Sequence, residues 1–373
     1  MSQNQTAPDH VTPDHVKTDN ATQDQATAVA KGRPVTDNTP VTGATEGSSV
    51  PLTAEPTAQA DTHRLAQFEK IALVGVGLIG SSISHAARRA NLARHITGVA
   101  RQPATRAKAL ELGLVDHAFD DPGHAVEGAD LVIVCVPVGA CAEIARRISP
   151  HLSEGCIVTD VGSVKAAVVQ DMASLLPNHV HFIPGHPIAG TEQSGPEAGF
   201  AELFDDRWCI LTPPANTDPN ALARLVAFWR ALGSNVDVMS PEHHDLVLAI
   251  TSHLPHLLAY NIVNSAAHLE AVTDREVIKY SAGGFLDFTR IASSDPVMWR
   301  DVFLNNKDAV LEILGRFSEE LSVLQRAIRF GDGEQLEATF ANARKLRRGI
   351  IEAGQDTPAP DFGRRKPDAN DGA

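Results

Sequence analysis

The chain has 373 residues, 43% of them hydrophobic, which is enough for two domains with a sizeable core. Its formal net charge of −14 argues against a nucleic-acid partner, because phosphate binding requires a basic surface. No C-x-x-C pair occurs among the four cysteines, which predicts reduced thiols in a cytoplasmic protein without a disulfide framework or a zinc site: Cys135, Cys141, Cys156 and Cys209.

Polar segments at both ends of the chain predict disorder. Residues 1–66 are rich in Thr, Asp, Gln, Pro and Ala, and residues 355–373 in Pro, Asp and Gly. The first segment contains no apolar run resembling a signal peptide or a membrane span, and we expect no membrane partner. The folded domains are predicted at 67–240 and 241–354, and we expect neither tail to add a catalytic or regulatory domain.

An apolar strand, Ile71 to Val74, runs directly into a glycine-rich turn and a helix expected over residues 81–90. In this G-x-G-x-x-G turn, Gly75 permits the bend, Gly77 lets a pyrophosphate approach the backbone, and Gly80 lets the helix pack close to the strand. The free N–H groups and positive dipole end of the helix would face the phosphates. A ligand-free turn is the alternative, but the order of strand, glycines and helix favours dinucleotide binding at a defined set of residues: Gly75, Gly77, Leu78, Ile79 and Gly80.

The end of the second predicted strand, at 95–100, bears on the choice of cofactor. NAD sites usually carry Asp or Glu there to accept from the ribose hydroxyl, whereas this chain has Ala100 followed by Arg101. A small residue and an arginine leave room and positive charge for a 2′-phosphate. We therefore expect NAD(P)+, with NADP+ at least accepted; a solvated arginine on a loop is the alternative.

Further strands and one helix alternate along the chain: strands 131–136, 157–160, 181–184 and 208–212, and helix 220–232. This alternation predicts a doubly wound, mostly parallel sheet of Rossmann type. Such sheets bind ligands beyond the carboxyl ends of their strands, where we expect Ser163 and His186.

From Pro241 onward the sequence has only helical patterns, chiefly at 241–267, 307–330 and 333–352. Pro255 predicts a kink, and Asp295 is a predicted N-cap. Long amphipathic helices after a Rossmann domain often bury a second apolar face in a dimer. We expect an all-helical dimerisation domain, with a monomeric helical cap as the alternative.

Seven stretches together resemble the prephenate/arogenate (cyclohexadienyl) dehydrogenase family of tyrosine biosynthesis: VGVGLIGSS at 74–82, VTDVGSVK at 158–165, GHPIAGTE at 185–192, MSPEHHD at 239–245, TSHLPH at 251–256, GGFLDFTR at 283–290 and DPVMWRD at 295–301. They occur in the family's order and spacing. The resemblance implies a homodimer that oxidises a cyclohexadienol with NAD(P)+ and releases carbon dioxide. Prephenate would give 4-hydroxyphenylpyruvate, and arogenate would give tyrosine.

Oxidation of a carbinol requires a base for the hydroxyl proton, and an imidazole with an ordinary pKa near 6.5 suits that task. The resemblance implies that His186 is this base, at the end of a strand facing the nicotinamide. It also implies that Ser163 hydrogen-bonds the ring hydroxyl and orients the histidine. The alternatives are a loop histidine satisfied by backbone and, for Ser163, a helix N-cap.

The substrate carries two carboxylates, so a planar, permanently charged guanidinium is expected in its site. The resemblance implies Arg290 for this role, although Arg290 could instead pair with Asp287. It further implies that His253 helps to position the substrate and that Thr191 and Glu192 form the pocket entrance. Asp245 matches an acid placed near that glutamate.

The histidines of the helical region do not predict a metal site, because their spacing matches no H-E-x-x-H motif and hydride chemistry needs no metal. Some relatives carry an acid at Ala100 and a lysine at Leu286, so cofactor preference and ionic gating do not carry over. Two other functions remain open: a 3-hydroxyacid dehydrogenase of similar build, and a nucleotide-sensing dimer without turnover.

Overall fold

The computed structural model describes residues 63–191, 193–270 and 279–352. Apart from residues 63–66, the predicted tails lie outside the described residues, and so does Glu192. The four cysteines are free thiols, as predicted.

Six parallel strands form the central sheet in the order β3-β2-β1-β4-β5-β6. They are β1 Phe68–Val74, β2 Ala93–Val99, β3 His117–Phe119, β4 Leu131–Val134, β5 Ile157–Asp160 and β6 His181–Phe182. The helices between them are α1 Leu78–Arg89, α2 Pro103–Glu111, α3 Pro122–Val126, α4 Cys141–Ile148 and α5 Ala166–Met172. The winding reverses between β1 and β4, which is where such a sheet binds its ligand. The predicted Rossmann-type sheet is confirmed.

Alternate residues of β1 build two separate cores, because successive side chains of a strand point to opposite faces. Ile71 and Leu73 pack in a cluster with Trp229. Ala72 and Val74 lie in the other cluster, which Trp299 of the helical region also enters. The second core thus joins the sheet to the helices that follow it.

A second, three-stranded sheet carries the histidine of interest. Its strands are β7 Gly185–Pro187, β8 Trp208–Leu211 and β9 Asn235–Val238, and helix α6 Pro219–Ala231 connects the last two. Strand β7 is antiparallel to β8, whereas β8 and β9 are parallel. The prediction placed all strands in one sheet. The two residues between β6 and β7 are too few for the crossover that parallel pairing needs, so β7 joins another sheet.

The C-terminal half is helical, as predicted. Its helices are α7 Pro241–Leu248, α8 Leu254–Glu270, α9 Gly283–Thr289, α10 Pro296–Asn305, α11 Lys307–Phe330 and α12 Gly333–Glu352. Asp295 Oδ1 accepts from the backbone N–H groups of Val297 and Met298 at 2.8 and 2.9 Å, which confirms the predicted N-cap. Gly331, in the left-handed region with φ of 70°, ends α11.

Helices α7 and α8 are joined by one π-helical turn, Ala249–His253. The irregularity expected from Pro255 therefore falls on the turn that precedes it. By length and composition alone, the continuous segment Pro241–Leu269 could cross a membrane, and 28% of its most apolar window is buried. Large apolar side chains are exposed on several C-terminal helices, including Ile262, Val263, Leu311, Leu321, Ile328 and Phe340.

Candidate active site

The glycine-rich turn after β1 has the geometry that a dinucleotide needs. Gly75 has a φ of +110°, and a Cβ there would lie 2.6 Å from the carbonyl oxygen of Cys135. A Cβ on Gly80 would collide with the carbonyl of Gly75, so only glycine lets the helix approach the strand this closely. At Gly77 no atom lies within 4 Å of such a Cβ, which leaves open space beside the backbone. Steric contacts thus require glycine at positions 75 and 80, whereas Gly77 leaves space for a ligand.

Helix α1 begins at Leu78, three residues earlier than predicted, and no side chain caps its N-terminus. The half-buried residues Leu78 and Ile79 therefore present uncapped first-turn amides beside the open space at Gly77. Uncapped amides and the helix dipole favour an anion such as a pyrophosphate. The turn fits the cofactor predicted for it.

The loop after β2 is held by an arginine that the sequence analysis did not single out. Arg106 donates from Nη1 to the carbonyl oxygens of Ala100 and Arg101, at 2.7 and 2.9 Å. The Arg101 side chain is exposed. This loop therefore has a fixed backbone and a free guanidinium at the position where NAD sites usually carry an acid.

His186 lies within β7, paired with Ile210 of β8, and is buried. The prediction placed it at the end of a strand of the parallel sheet; it lies instead just beyond β6, on the second sheet. Its Nδ1 is 2.8 Å from Nε2 of His244. Nδ1 of His244 is in turn 2.8 Å from Oδ1 of Asp245. We call these three residues the histidine chain.

The histidine chain fixes which nitrogen of His186 is free. A carboxylate can only accept, so Nδ1 of His244 donates to Asp245. A neutral His244 then has a lone pair on Nε2, which accepts from Nδ1 of His186. The remaining lone pair of His186 is therefore on Nε2, the nitrogen that can act as a base.

Burial lowers the pKa of His186 well below its ordinary value, and positive charge on His244, Lys165 or His253 acts in the same direction. His186 is consequently neutral at neutral pH. The prediction of His186 as a base rested on the ordinary pKa of an imidazole, whereas in the structure burial keeps it a neutral base.

Asp245 also caps helix α5, which begins at Ala166. Its carboxylate oxygens accept from the backbone N–H of Lys165 at 2.7 Å and of Ala166 at 2.9 Å. Asp245 therefore links the histidine chain to α5, whereas Glu192, the residue it was expected to lie near, is outside the described residues. Ser163 is half-buried in the loop before α5 and is not its N-cap residue, which is Lys165.

The two histidines of the TSHLPH stretch share Trp299 as a neighbour, with 6.1 Å between the ring centroids of His253 and Trp299, but differ in burial. His253 is fully buried, and its Nδ1 is 3.0 Å from Nδ2 of Asn306, which also donates to the carbonyl oxygen of Asp245. Burial lowers the pKa of His253 to about 4. His256 is half-buried and stacks on Trp299 with ring centroids 3.7 Å apart.

Arg290 is exposed at the start of the 3-10 turn Arg290–Ser293. It forms no ion pair with Asp287, which was the alternative role. Burial lowers the pKa of His256, a backbone hydrogen bond to Ser252 raises it, and the positive charge of Arg290 lowers it further. Arg290 is therefore within electrostatic range of His256. The sequence pattern indicated His256 only as a possible metal ligand.

Thr191 is exposed, and its Oγ1 accepts from the backbone N–H of Gln193 at 3.2 Å. Among the described residues, no hydrogen bond joins Thr191 to the histidine chain. In the described part of the chain, no three His, Cys, Asp or Glu side chains are grouped so that they could hold a metal ion.

Two family profiles match this chain: the prephenate dehydrogenase nucleotide-binding domain over residues 83–238, and the prephenate dehydrogenase dimerization domain over residues 240–342. Cyclohexadienyl dehydrogenase of Zymomonas mobilis is 42% identical, over 75% of this chain and 95% of the relative. Prephenate dehydrogenase of Bacillus subtilis is 35% identical, over 76% of each chain.

Solved structures are also similar. The crystal structure of prephenate dehydrogenase from A. aeolicus, in complex with hydroxyphenyl propionate and NAD+, has a TM-score of 0.70 and 38% identity. The match covers 76% of this chain and 98% of that one. Synechocystis arogenate dehydrogenase has a TM-score of 0.66 and 30% identity, over 75% and 99% of the two chains.

These matches run through both halves of the fold, in the order that the sequence predicted, and together with the glycine-rich turn they establish NAD(P)+ use. A 3-hydroxyacid dehydrogenase is not favoured. The chain belongs to the prephenate dehydrogenase family of NAD(P)-dependent enzymes.

Proposed function

We propose that this enzyme oxidatively decarboxylates prephenate, arogenate or both with NAD(P)+, as a step of tyrosine biosynthesis. The observation that carries the proposal is the histidine chain, which leaves Nε2 of His186 as a neutral, buried base. Family membership supplies the substrate class, since the relatives are named cyclohexadienyl, prephenate and arogenate dehydrogenases.

The reaction removes a hydride from the ring carbon that bears the hydroxyl, and carbon dioxide from the opposite ring carbon, so that the ring becomes aromatic. NAD(P)+, held at the glycine-rich turn after β1, would supply the acceptor for the hydride. Atoms and charge balance without release of a proton, because the product phenol keeps the hydroxyl hydrogen. Nε2 of His186 accepts that proton as the carbon–hydrogen bond breaks, and returns it to the oxygen once the ring is aromatic.

This balance explains why the base can be buried. A proton that is returned needs no path to solvent, so His244 and Asp245 serve to orient His186 and to stabilise its brief positive charge. The depressed pKa of His186 keeps it neutral before the reaction and makes it ready to release the proton afterwards.

We propose that Ser163 hydrogen-bonds the reacting hydroxyl and that Arg290 binds a substrate carboxylate. The exposed guanidinium of Arg290 has no ion pair with Asp287, so its donors are available to a ligand. We propose that His253, whose Nδ1 is held by Asn306, helps to position the substrate. The half-buried His256, within electrostatic range of Arg290, is a second candidate for substrate contact. Thr191 and Glu192 are proposed at the pocket entrance.

For the cofactor, we propose that Gly75, Gly77 and Gly80, with the amides of Leu78 and Ile79, bind the pyrophosphate. Arg101 would contact the 2′-phosphate of NADP+. Support comes from the exposed Arg101 side chain and from the absence of an acid at Ala100, on a loop whose backbone is already fixed.

We further propose a cytoplasmic homodimer that associates through the helical domain, with domain bounds at 67–240 and 241–354 and without a nucleic-acid or membrane partner. The exposed apolar side chains of α8, α11 and α12 and the dimerization-domain match support the dimer. Asp245 and His253, buried and hydrogen-bonded within the most apolar helical segment, argue against a lipid environment for that segment.

Initial rates of NAD+ and NADP+ reduction with prephenate and with arogenate test the proposal. The expected result is cofactor reduction in a one-to-one ratio with carbon dioxide and with 4-hydroxyphenylpyruvate or tyrosine. A 3-hydroxyacid dehydrogenase would reduce the cofactor with 3-hydroxyacids and release no carbon dioxide. A nucleotide-sensing dimer would bind the cofactor without reducing it, and either outcome would reject the proposal.

A further inference from the structure

A buried ion pair lies beside the histidine chain, and the reaction described above makes no use of it. Lys165 and Asp160 are both fully buried, and Nζ of Lys165 donates to Oδ2 of Asp160. Moving two charges out of water is costly, and a buried ion pair often stabilises a protein no better than apolar residues of the same size. Stability alone therefore gives no reason for this pair.

The ion pair connects the two segments that carry Ser163 and His186. Asp160 accepts from the backbone N–H of Gly162 at 2.8 Å, one residue before Ser163. The same carboxylate accepts from the backbone N–H of Gly185 at 3.2 Å, one residue before His186. Lys165 completes the arrangement by donating from Nζ to the carbonyl oxygen of Gly185 at 2.6 Å.

The backbone of Lys165 also reaches the histidine chain. Its N–H donates to Oδ1 of Asp245, the same oxygen that accepts from Nδ1 of His244. The loop after β5, strand β7 and helix α7 are thus joined by hydrogen bonds through Lys165 and Asp160. A displacement of any one of these segments would break hydrogen bonds to the other two.

We propose that Lys165 and Asp160 are positioning residues that hold Ser163 and His186 in the relative position that the reaction needs. The roles of Ser163 and His186 rest on the proposed function; the convergence of bonds does not. The charge of Lys165 has a second effect. With His244 and His253 it disfavours protonation of His186, while Asp160 on β5 and Asp245 on α7 are the acids of this cluster.

The test replaces the ion pair with a neutral one, Asp160→Asn/Lys165→Met, so that no lone charge is left buried. The control is Leu225→Ala, which opens a cavity in the core under α6 without touching the site. At a temperature where both variants are folded, we expect kcat of the double variant to fall at least about tenfold. The Kd for NAD+ should change less than about threefold, and the control should keep its kcat.

A second variant, Asp160→Asn/Lys165→Gln, separates the hydrogen bonds from the charge. Its amides can restore bonds to Gly162 and Gly185, and we expect it to recover part of the lost kcat. Titration of the His186 imidazole by ¹⁵N NMR, assigned with His186→Asn, should show a shifted midpoint in both double variants, because the buried charges of Lys165 and Asp160 are both gone.

A neutral pair that keeps wild-type kcat and leaves the His186 titration unchanged would overturn the positioning role. The same holds if kcat falls only in proportion to lost stability, as in Leu225→Ala. Failure of the wild-type enzyme with both substrates would instead reject the proposed function. The NMR titration of the free protein would then still decide whether Lys165 and Asp160 control His186.

Discussion

The two halves of the candidate site are built in opposite ways. Around His186 the side chains are buried and bonded to one another, through His244 and Asp245 to the backbone of α5. Around Arg290 the guanidinium is exposed, and His256, which lies within its electrostatic range, is only half-buried. The side chains around His186 are already hydrogen-bonded within the protein, whereas the guanidinium of Arg290 is accessible to a ligand.

This difference matches the two tasks of the site. A base must have its lone pair fixed in direction before the transition state forms, because a misplaced acceptor costs catalytic rate. A carboxylate anchor needs free donors, because its bonds are made to the substrate. Variants on the two sides should therefore fail differently, in kcat on one side and in KM on the other.

The largest effect is expected at His186. Replacing it with Asn removes Nε2 as a base and should lower kcat by roughly 10²–10⁴, the usual contribution of a positioned general base, with little change in cofactor binding. Steady-state kinetics and cofactor titration on one preparation measure both. Near-native kcat with either substrate would exclude His186 from the mechanism.

A matched pair at His244 tests whether the histidine chain works by fixing the tautomer. His244→Leu removes the acceptor for Nδ1 of His186, so that the lone pair is no longer held on Nε2, and should lower kcat by at least about 10²-fold. His244→Gln can place an amide oxygen near the lost Nε2 and should retain most of the activity. Equal activity of the two variants would contradict the tautomer argument.

At Arg290 the loss should be one of binding. Charge-assisted hydrogen bonds contribute about 1.5–3 kcal/mol each, so Arg290→Gln should raise KM by roughly 10- to 100-fold. Its kcat should fall less, since the contacted carboxylate is remote from the migrating hydride. Arg290→Lys keeps the charge, so its KM should lie between those of the wild type and of Arg290→Gln. A fall in kcat with unchanged KM would contradict the proposed role of Arg290 in substrate binding.

The smallest effect is on stability and follows from His253. Its pKa is about 4 in the folded protein and near 6.5 in the unfolded chain. The unfolded chain therefore binds more protons between these values, so stability is complete above about pH 6.5 and falls as the pH drops toward 4. Between pH 7 and 5, protonation of His253 in the unfolded chain lowers the free energy of unfolding by about 2 kcal/mol.

Thermal melts of the wild type and of His253→Asn across this pH range measure that contribution. The asparagine has no titrating group, yet its side-chain oxygen can still accept from Asn306. The variant should therefore lose less stability on acidification than the wild type. Identical slopes for the two proteins would show that His253 is not the group responsible.

The sequence was informative where chemistry depends on neighbours along the chain. The roles of Gly75 and Gly80 follow from steric limits on one turn, and Asp295 was recognisable as a cap because its partners are two and three residues away. The family resemblance pointed to His186 and Ser163, whose roles stay predictions.

What could not be predicted depends on distant segments meeting. His186 and His244 are separated by 58 positions, and no pattern in either stretch shows that their rings meet. Strand β7 has three residues, too few for a periodic signal that would assign it to a second sheet. Arg106 bonds backbone carbonyls, a role that any arginine could take and that no motif reveals.

The π-helical turn Ala249–His253 sets the rotation of α8 about its own axis, and so the direction in which each side chain of α8 points. A π-turn takes up about one residue more than an α-turn, and one residue corresponds to about 100° of rotation around a helix axis. His253 is therefore buried against Asn306 and Trp299, and His256, three residues later, stacks on the same Trp299 ring. Loss of a single codon here would leave a continuous helix whose residues from Leu254 onward faced the wrong way.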